Sequence, residues 1–253
     1  MKDFLKYVLA TVVGIILVGI IGSILSIGLI SAIVAMSSPQ EVTLKENSLL
    51  RIDLDAQITD RSSNDPFENL QIPGMESTKK IGLGDIKSAI NKAADEDNIK
   101  GIYLRIDNIM AGFATCEEIR NALEDFKEES DKPIYAYSET YSQKAYYLSS
   151  VADKVFINPE GMLSFSGLAS VHSFYKNALE KLGVEMQIIR HGKFKAAVEP
   201  FMLEEMSDAN REQINVYIGS IWNTITSDIA GARGMTTDQL NAIADENTAY
   251  SPA

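Results

Sequence analysis

The run of residues 7–36 contains no charged side chain and consists mainly of Leu, Ile, Val, Ala and Gly. A helix rises about 1.5 Å per residue, so about 20 apolar residues cross the roughly 30 Å of a bilayer core. A cleaved signal peptide is the competing interpretation, because residues 32–38 could supply a small-residue cleavage site. Its apolar region, however, would span only about 7–15 residues. The length of the run therefore favours an uncleaved transmembrane anchor.

The charges that flank the apolar run predict how the chain is oriented. Lys2 and Lys6 precede it, and positive residues are retained on the cytoplasmic side of a membrane. We therefore expect two parts. Residues 1–38 form a short cytoplasmic N-terminus and a single-pass anchor, and residues 39–253 form a domain outside the cytoplasm.

The chain is acidic, with 23 Lys and Arg against 35 Asp and Glu and a net charge of −12. Nucleic acid is therefore not expected as a partner, since phosphate binding needs a basic surface. Cys116 is the only cysteine, which excludes an intrachain disulfide. It could be a thiol nucleophile, but its place at the start of an amphipathic helix pattern, without a nearby histidine, favours a packing role.

Beyond residue 45, apolar patterns of strand and helix type alternate, which predicts an α/β fold with a mostly parallel sheet and helical cover. The polar run 59–80, which lacks an apolar period, is expected to be a loop or insert. We predict strands at 48–54, 99–106, 133–137, 154–157 and 184–189, a turn at 158–161, and helices at 84–94, 117–126, 142–150, 173–182, 207–230 and 238–244.

The common catalytic motifs are missing from the sequence. It has no Gly-rich phosphate loop, no GxSxG and no HExxH, and no cofactor or metal ion is expected. His172 and His191 are too few and too scattered for a zinc site. A triad would need one of them as its base, but His191 lies in a basic turn, which favours a solvated or capping histidine. Asp107 ends a strand and could be catalytic, although such acids more often cap turns.

The segment 190–201, RHGKFKAAVEPF, contains the most informative candidate. Lys195 follows a predicted strand and turn and is flanked by apolar residues that could remove water from its ammonium group. To serve as a general base near pH 7, a lysine must have its pKa lowered by about 3 units, which demands burial. Lys193 has less apolar cover. From the residues alone, a surface lysine remains the more common interpretation for both.

This segment closely resembles the lysine-bearing motif of the signal peptide peptidase A family, also called protease IV. The lysine motif is specific, and the resemblance extends over about residues 45–253. The matching stretches are KAAVEPF at 195–201, Met206-Ser207, Ile221-Trp222, DEDNIKGIYLRI at 95–106, AYYLS at 145–149, ADKVFINP at 152–159 and Gly161.

The resemblance implies a crotonase-like (ClpP-like) fold and a serine endopeptidase of the Ser-Lys dyad type that degrades cleaved signal peptides in the bacterial membrane. In the long form of this family, a tandem duplication, the first half supplies the lysine and the second half the nucleophilic serine. This chain is similar to the first half. Lys195 is then the general base, which accepts the serine proton.

Two departures from the serine-bearing half agree with this assignment. Where that half has its nucleophile ahead of Tyr-Tyr, this chain has Gln143, which cannot attack a carbonyl, and Ser142 is displaced by one residue. The Gly-Gly loop that supplies oxyanion-hole amides corresponds to residues 110–113, where only Gly112 is kept.

The resemblance also implies partners and a location: signal peptides and other apolar peptides, the lipid bilayer, and further copies of the chain in a homo-oligomer. The predicted location is the bacterial inner membrane, with most of the chain periplasmic. We expect the natural chain to continue beyond Ala253 into the serine-bearing half. Two alternatives remain, a catalytically inactive anchored scaffold of the same fold that binds apolar peptides, and an acyl-CoA hydratase or isomerase of crotonase type.

Overall fold

A computed structural model describes residues 1–37, 44–62, 80–192, 194–247 and 249 of the chain. The chain divides into two compact units, one containing helix α1 (Lys2–Ser37) and the other containing the α/β domain. Within α1, Lys2–Ser31 has the length and composition of a membrane span, with a mean hydropathy of 2.8 in its most apolar stretch. These properties fit the predicted anchor and would also fit a signal sequence.

A four-stranded, entirely parallel sheet forms the centre of the α/β domain, in the order β1-β4-β5-β6. A second, two-stranded parallel sheet pairs β2 with β3. The strands are β1 (Ser48–Asp53), β2 (Gln57–Thr59), β3 (Lys80–Gly82), β4 (Ile99–Arg105), β5 (Ile134–Tyr141) and β6 (Lys154–Leu163).

Seven helices accompany the strands in the described part of this domain: α2 (Leu83–Asp95), α3 (Phe113–Ser130), α4 (Gln143–Ser149), α5 (Lys176–Lys181), α6 (Glu199–Met202), α7 (Asp208–Arg233) and α8 (Thr237–Glu246). Apolar side chains at helical spacing turn inward, for example Ile86 and Ile90 of α2 and Ile119, Leu123 and Phe126 of α3. The core is therefore built between the sheet and its helical cover.

The α/β class, the mostly parallel sheet with helical cover and the apolar N-terminal helix are confirmed. The N-termini of the last two helices have capping side chains. Ser207 caps α7 by accepting a hydrogen bond from the Asn210 amide, and Thr236 with Gln239 forms a complete capping box at α8. Each of these side chains satisfies a backbone donor that the helix leaves unpaired.

One predicted element lies inside a longer one, and another is wrong. The predicted turn at 158–161 is a bulge within β6, where the Glu160 amide donates to Asn158 Oδ1 at 2.9 Å, and β6 continues to Leu163 because Thr140 and Tyr141 of β5 pair with Met162 and Leu163 beyond the register shift. The predicted strand at 184–189 does not form. These residues have no regular secondary structure and are mostly exposed, and none of the strands among the described residues pairs with them.

The polar insert lies mostly outside the described residues, since residues 63–79 are not among them. Its two described ends, however, are not a simple loop, because Gln57–Thr59 and Lys80–Gly82 pair as β2 and β3. The propensity of such short segments is too weak to reveal a pairing from sequence.

Candidate active site

Lys195 lies in residues 190–199, which we call the lysine loop, immediately before a single 3₁₀ turn, Ala196–Val198, that leads into α6. Within this loop Gly192 has φ +102°, a conformation that favours glycine. The Lys195 side chain is exposed. Lys193, the other candidate, lies outside the described residues. Among the described residues, no hydrogen bond or ion pair joins Lys195 to a histidine, to Asp107 or to Ser142.

Glu199, four residues after Lys195, is almost completely buried, with 1% of its surface exposed. Its carboxylate accepts hydrogen bonds from Ser207 Oγ at 2.6 Å, the Ser207 amide at 3.3 Å and Asn210 Nδ2 at 3.0 Å. The Arg190 guanidinium lies 3.8 Å away. Burial raises the pKa of this carboxyl, but the hydrogen bonds from Ser207 and Asn210 and the charge of Arg190 outweigh it, so the net pKa is lowered.

Apolar side chains surround the lysine loop and are open to solvent. Ile189, Phe194 and Phe201 are exposed, and Phe201 also stacks on Tyr175 with ring centroids 6.1 Å apart. Phe201 also lines a cavity of about 190 Å³ between α5, α6 and residues 184–188. Exposed apolar side chains thus precede and follow the exposed Lys195 along the chain, and they offer surface that an apolar ligand could cover.

Gln143 begins α4, immediately after the carboxyl end of β5. Its Nε2 donates to the Gly167 carbonyl at 3.2 Å, and its Oε1 accepts from the amides of Ser166 at 3.2 Å and Gly167 at 3.0 Å. Gly167 has φ +84°. Gln143 therefore binds the backbone of residues 166 and 167, which follow β6, through both its amide oxygen and its amide nitrogen. The neighbouring Ser142 is the N-cap of α4, with its hydroxyl accepting from the Ala145 amide.

Gly112 lies at the same edge of the sheet as Gln143, because β4 and β5 are neighbouring parallel strands and the two loops follow their carboxyl ends. Lys144 joins the two loops by donating to the Ala111 carbonyl at 2.8 Å. Gly112 is the N-cap residue of α3, without a side-chain cap. The two positions singled out as departures from the serine-bearing pattern are therefore adjacent in space.

The remaining candidates have local structural roles. Asp107 accepts hydrogen bonds from the Ser138 hydroxyl and the Glu139 amide, which ties the end of β4 to β5. His172 is exposed and shares a 2.8 Å hydrogen bond with Ser170. His191 is exposed in the lysine loop. Among the described residues, no group of three His, Cys, Asp or Glu could hold a metal ion.

Cys116 is completely buried on α3. Burial raises the pKa of its thiol to about 11, although the nearby Lys144 ammonium lowers it in part. Because only the thiolate is reactive, alkylation by iodoacetamide at pH 8 is expected to be at least about 100-fold slower in the folded protein than in denaturant. Mass spectrometry of the modified peptide measures both rates. Equal rates would show that the Cys116 thiol is not protected by burial in the folded protein.

Glu199 lies inside the motif that carries Lys195 but was not among the predicted site residues. The sequence offers only a weak signal, an acid between apolar residues and a proline, eight residues before a Ser helix cap, where a carboxylate could meet a helix N-terminus. The pattern alone does not reveal that this acid is buried.

Residues 126–251 match the family model described as Peptidase family S49. The chain is 36% identical over 197 residues to Protease 4 of Salmonella typhi, covering 76% of this chain and 32% of that protein. It is 30% identical over 242 residues to Protease 4 of Haemophilus influenzae, covering 88% of this chain and 39% of that protein. The chain thus spans about a third of the length of these relatives.

A more distant relative is Serine protease SPPA, chloroplastic, of Arabidopsis thaliana, 29% identical over 191 residues, covering 76% of this chain and 26% of that protein. Among solved structures, an enoyl-CoA hydratase/isomerase family protein from Silicibacter pomeroyi is similar at 11% identity, with a TM-score of 0.26, covering 66% of this chain and 86% of that chain. The TM-score is too low for that likeness to support any functional inference.

Proposed function

Because the chain belongs to the signal peptide peptidase A family, within peptidase family S49, we propose that it is the lysine-bearing part of a membrane-anchored serine endopeptidase. The substrates are cleaved signal peptides and other apolar peptides. Lys195 is the general base. The observation that carries this proposal is the position of Lys195: an exposed lysine on a loop whose base is fixed by a buried carboxylate.

In the proposed reaction, the neutral Lys195 amine takes the proton from a serine hydroxyl as its oxygen attacks the scissile carbonyl. The Lys195 ammonium then gives this proton to the nitrogen of the scissile amide, the C–N bond breaks, and an acyl-enzyme remains with Lys195 neutral again. The same lysine next removes a proton from water as the water oxygen attacks the acyl-enzyme, and returns that proton to the serine oxygen as the ester bond breaks.

The exposure of Lys195 limits what this chain can do by itself. A lysine is neutral near pH 7 only when it is shielded from water, and the residues described here leave it open to solvent. We infer that the serine-bearing part of the natural protein, together with the apolar substrate, covers it. The exposed Phe194, next to Lys195 in the chain, and the exposed Phe201 of α6 provide apolar surface for that contact.

Gln143 supports the division of roles. A carboxamide cannot act as the nucleophile, and here both its oxygen and its nitrogen are hydrogen-bonded to backbone groups of residues 166 and 167. Ser142 accepts a helix-capping bond instead. The proposed nucleophile is therefore a serine in a second half of the natural protein, which the length of the Protease 4 relatives leaves room for.

The proposed location follows from α1. As a single-pass anchor with Lys2 and Lys6 on its cytoplasmic side, it would tether the protease to the bacterial inner membrane, where cleaved signal peptides remain, with the α/β domain in the periplasm. A homo-oligomer is part of this proposal.

The alternative function is an inactive scaffold that binds apolar peptides, which is favoured by the missing nucleophile in this chain.

The test is hydrolysis of an apolar peptide by the natural protein in detergent, followed by mass spectrometry. A control peptide has Asp at alternate apolar positions. We expect the apolar peptide to be cleaved at least about tenfold faster, because apolar pockets discriminate by burial. Binding without cleavage would support the scaffold instead.

The coding sequence beyond Ala253 provides a second check, since the proposal requires a serine ahead of a Tyr-Tyr pair there.

A further inference from the structure

The two ends of the lysine loop are joined to each other. Arg190, before Lys195, lies 3.8 Å from the carboxylate of Glu199, which comes after it. Residues 190–199 therefore form a loop that is closed at its base by a charge pair. Lys195 lies within this closed loop, at the start of the 3₁₀ turn.

The base of the loop is in turn fixed to the first turn of α7. Ser207 and Asn210 supply the three hydrogen bonds that Glu199 accepts. α7 is 26 residues long, and the positive end of a helix stabilises a carboxylate at its N-terminus. Glu199 is thus bound to an element that extends to the core, where Ile225 and Ile229 are buried.

The connection between Glu199 and Lys195 is short and ordered. The Glu199 amide donates to the Ala196 carbonyl, which closes the 3₁₀ turn Ala196–Val198. On the other side, the Leu203 amide donates to the Glu199 carbonyl at 2.9 Å. A displacement of Glu199 would therefore move the turn, and Lys195 with it.

Burying a carboxylate costs free energy that a neutral side chain would not incur. Simple packing does not require a charge at this position. A carboxylate does, however, accept several hydrogen bonds at once and can pair with a cation. Glu199 thereby joins Arg190, Ser207 and Asn210. Such a group is suited to holding a loop in one geometry.

We propose that Glu199 is the positioning residue for Lys195, holding the lysine loop on α7 so that the amine faces the serine and the substrate. This inference rests on the proposed protease function for its catalytic consequence. The ordering of the loop by Glu199 is independent of that function and can be measured without it.

The experiment replaces Glu199 by Gln in the natural protein, which keeps the size and shape of the side chain but turns one acceptor into a donor. Glu205→Gln is the matched control, because Glu205 is exposed and no contact of its side chain is found among the described residues. We expect Glu199→Gln to lower kcat for apolar peptide hydrolysis at least about tenfold, with KM within about twofold. Glu205→Gln should leave both unchanged.

A second readout does not depend on native activity. Trypsin cleavage at the Lys195–Ala196 bond, followed by mass spectrometry, reports how often the loop opens. We expect cleavage at least about fivefold faster in Glu199→Gln than in the wild type or in Glu205→Gln. If Glu199→Gln fails to fold, Asn210→Ala removes only one of the three hydrogen bonds and should change kcat and trypsin cleavage in the same directions.

The outcomes separate the two proposals. An unchanged trypsin rate in a folded Glu199 variant overturns the positioning role, whatever the protein does. Faster trypsin cleavage with unchanged kcat also overturns it, because Glu199 would then order the loop without positioning Lys195 for catalysis. If the wild type hydrolyses no peptide while Glu199→Gln still loosens the loop, the protease function is wrong and the anchoring of the loop remains.

Discussion

Replacing Lys195 by Ala is expected to lower kcat for apolar peptide hydrolysis by at least about 10³-fold, because the serine of a dyad loses its only base. The fold should survive, since the Lys195 side chain is exposed and makes no hydrogen bond among the described residues. Peptide binding should change little, as the exposed apolar neighbours remain. Initial rates measured in detergent, with the melting temperature recorded in parallel, give both quantities.

Lys193→Ala is the control for this experiment, because it removes the same charge two residues earlier in the same loop. It should keep most of the activity. Hydrolysis at near wild-type rates by a folded Lys195→Ala protein would remove Lys195 from its proposed role. Equal losses in both variants would indicate that the positive charge of the loop, and not a specific base, is what the reaction needs.

Segments whose structure is set by nearby residues could be predicted from the sequence. The capping box of Thr236 and Gln239 and the cap at Ser207 depend on three or four consecutive residues, and both are found. Helix α2 and strand β4 follow equally from their apolar periods. Their alternation then predicted the parallel sheet.

Features that depend on distant partners could not be predicted. Residues 184–189 have a strand pattern, but a strand also needs a neighbour, and none is found among the described residues. Conversely, the proline at 159 suggested a turn, whereas pairing with β5 carries β6 past it. In both cases tertiary pairing, not local propensity, decides the structure.

In the candidate site, too, some residues could be identified from the sequence and others could not. Lys195 and Gln143 were identified through the resemblance of their surroundings, and the structure adds what each one touches. The Gln143 side chain forms two hydrogen bonds with the Gly167 backbone. Glu199 could not be recognised, because its partners Ser207 and Asn210 belong to the next helix and its burial appears only in three dimensions.

A buried arginine connects the helices that carry these residues. Arg120 of α3 is 1% exposed. Its guanidinium donates to the Tyr147 carbonyl within α4 at 2.7 Å, to Ser150 Oγ at the C-cap of α4 at 2.8 Å, and to the Asp228 carbonyl of α7 at 3.1 Å. The cation also lies over the Tyr147 ring, 5.1 Å from its centroid. One side chain thus holds α4, which begins with Gln143, to α7, which binds Glu199.

The Tyr147 hydroxyl strengthens this connection by donating to an Asp228 carboxylate oxygen at 2.6 Å. Burial raises the pKa of the Tyr147 hydroxyl, and the hydrogen bond to Asp228 raises it further, while the charge of Arg120 opposes both. The phenol therefore stays protonated, and remains a donor, to a higher pH than an ordinary tyrosine.

Arg120→Ala is accordingly expected to lower the free energy of unfolding by about 3–5 kcal/mol, through three lost charge-assisted hydrogen bonds and the cavity that remains. Arg120→Met fills most of the volume and should cost less, which separates packing from hydrogen bonding. Arg211→Ala, on the exposed face of α7, should change stability by less than about 0.5 kcal/mol. Urea unfolding followed by circular dichroism measures all three. A loss in Arg120→Ala no larger than in Arg211→Ala would show that the buried guanidinium does not hold α4 to α7.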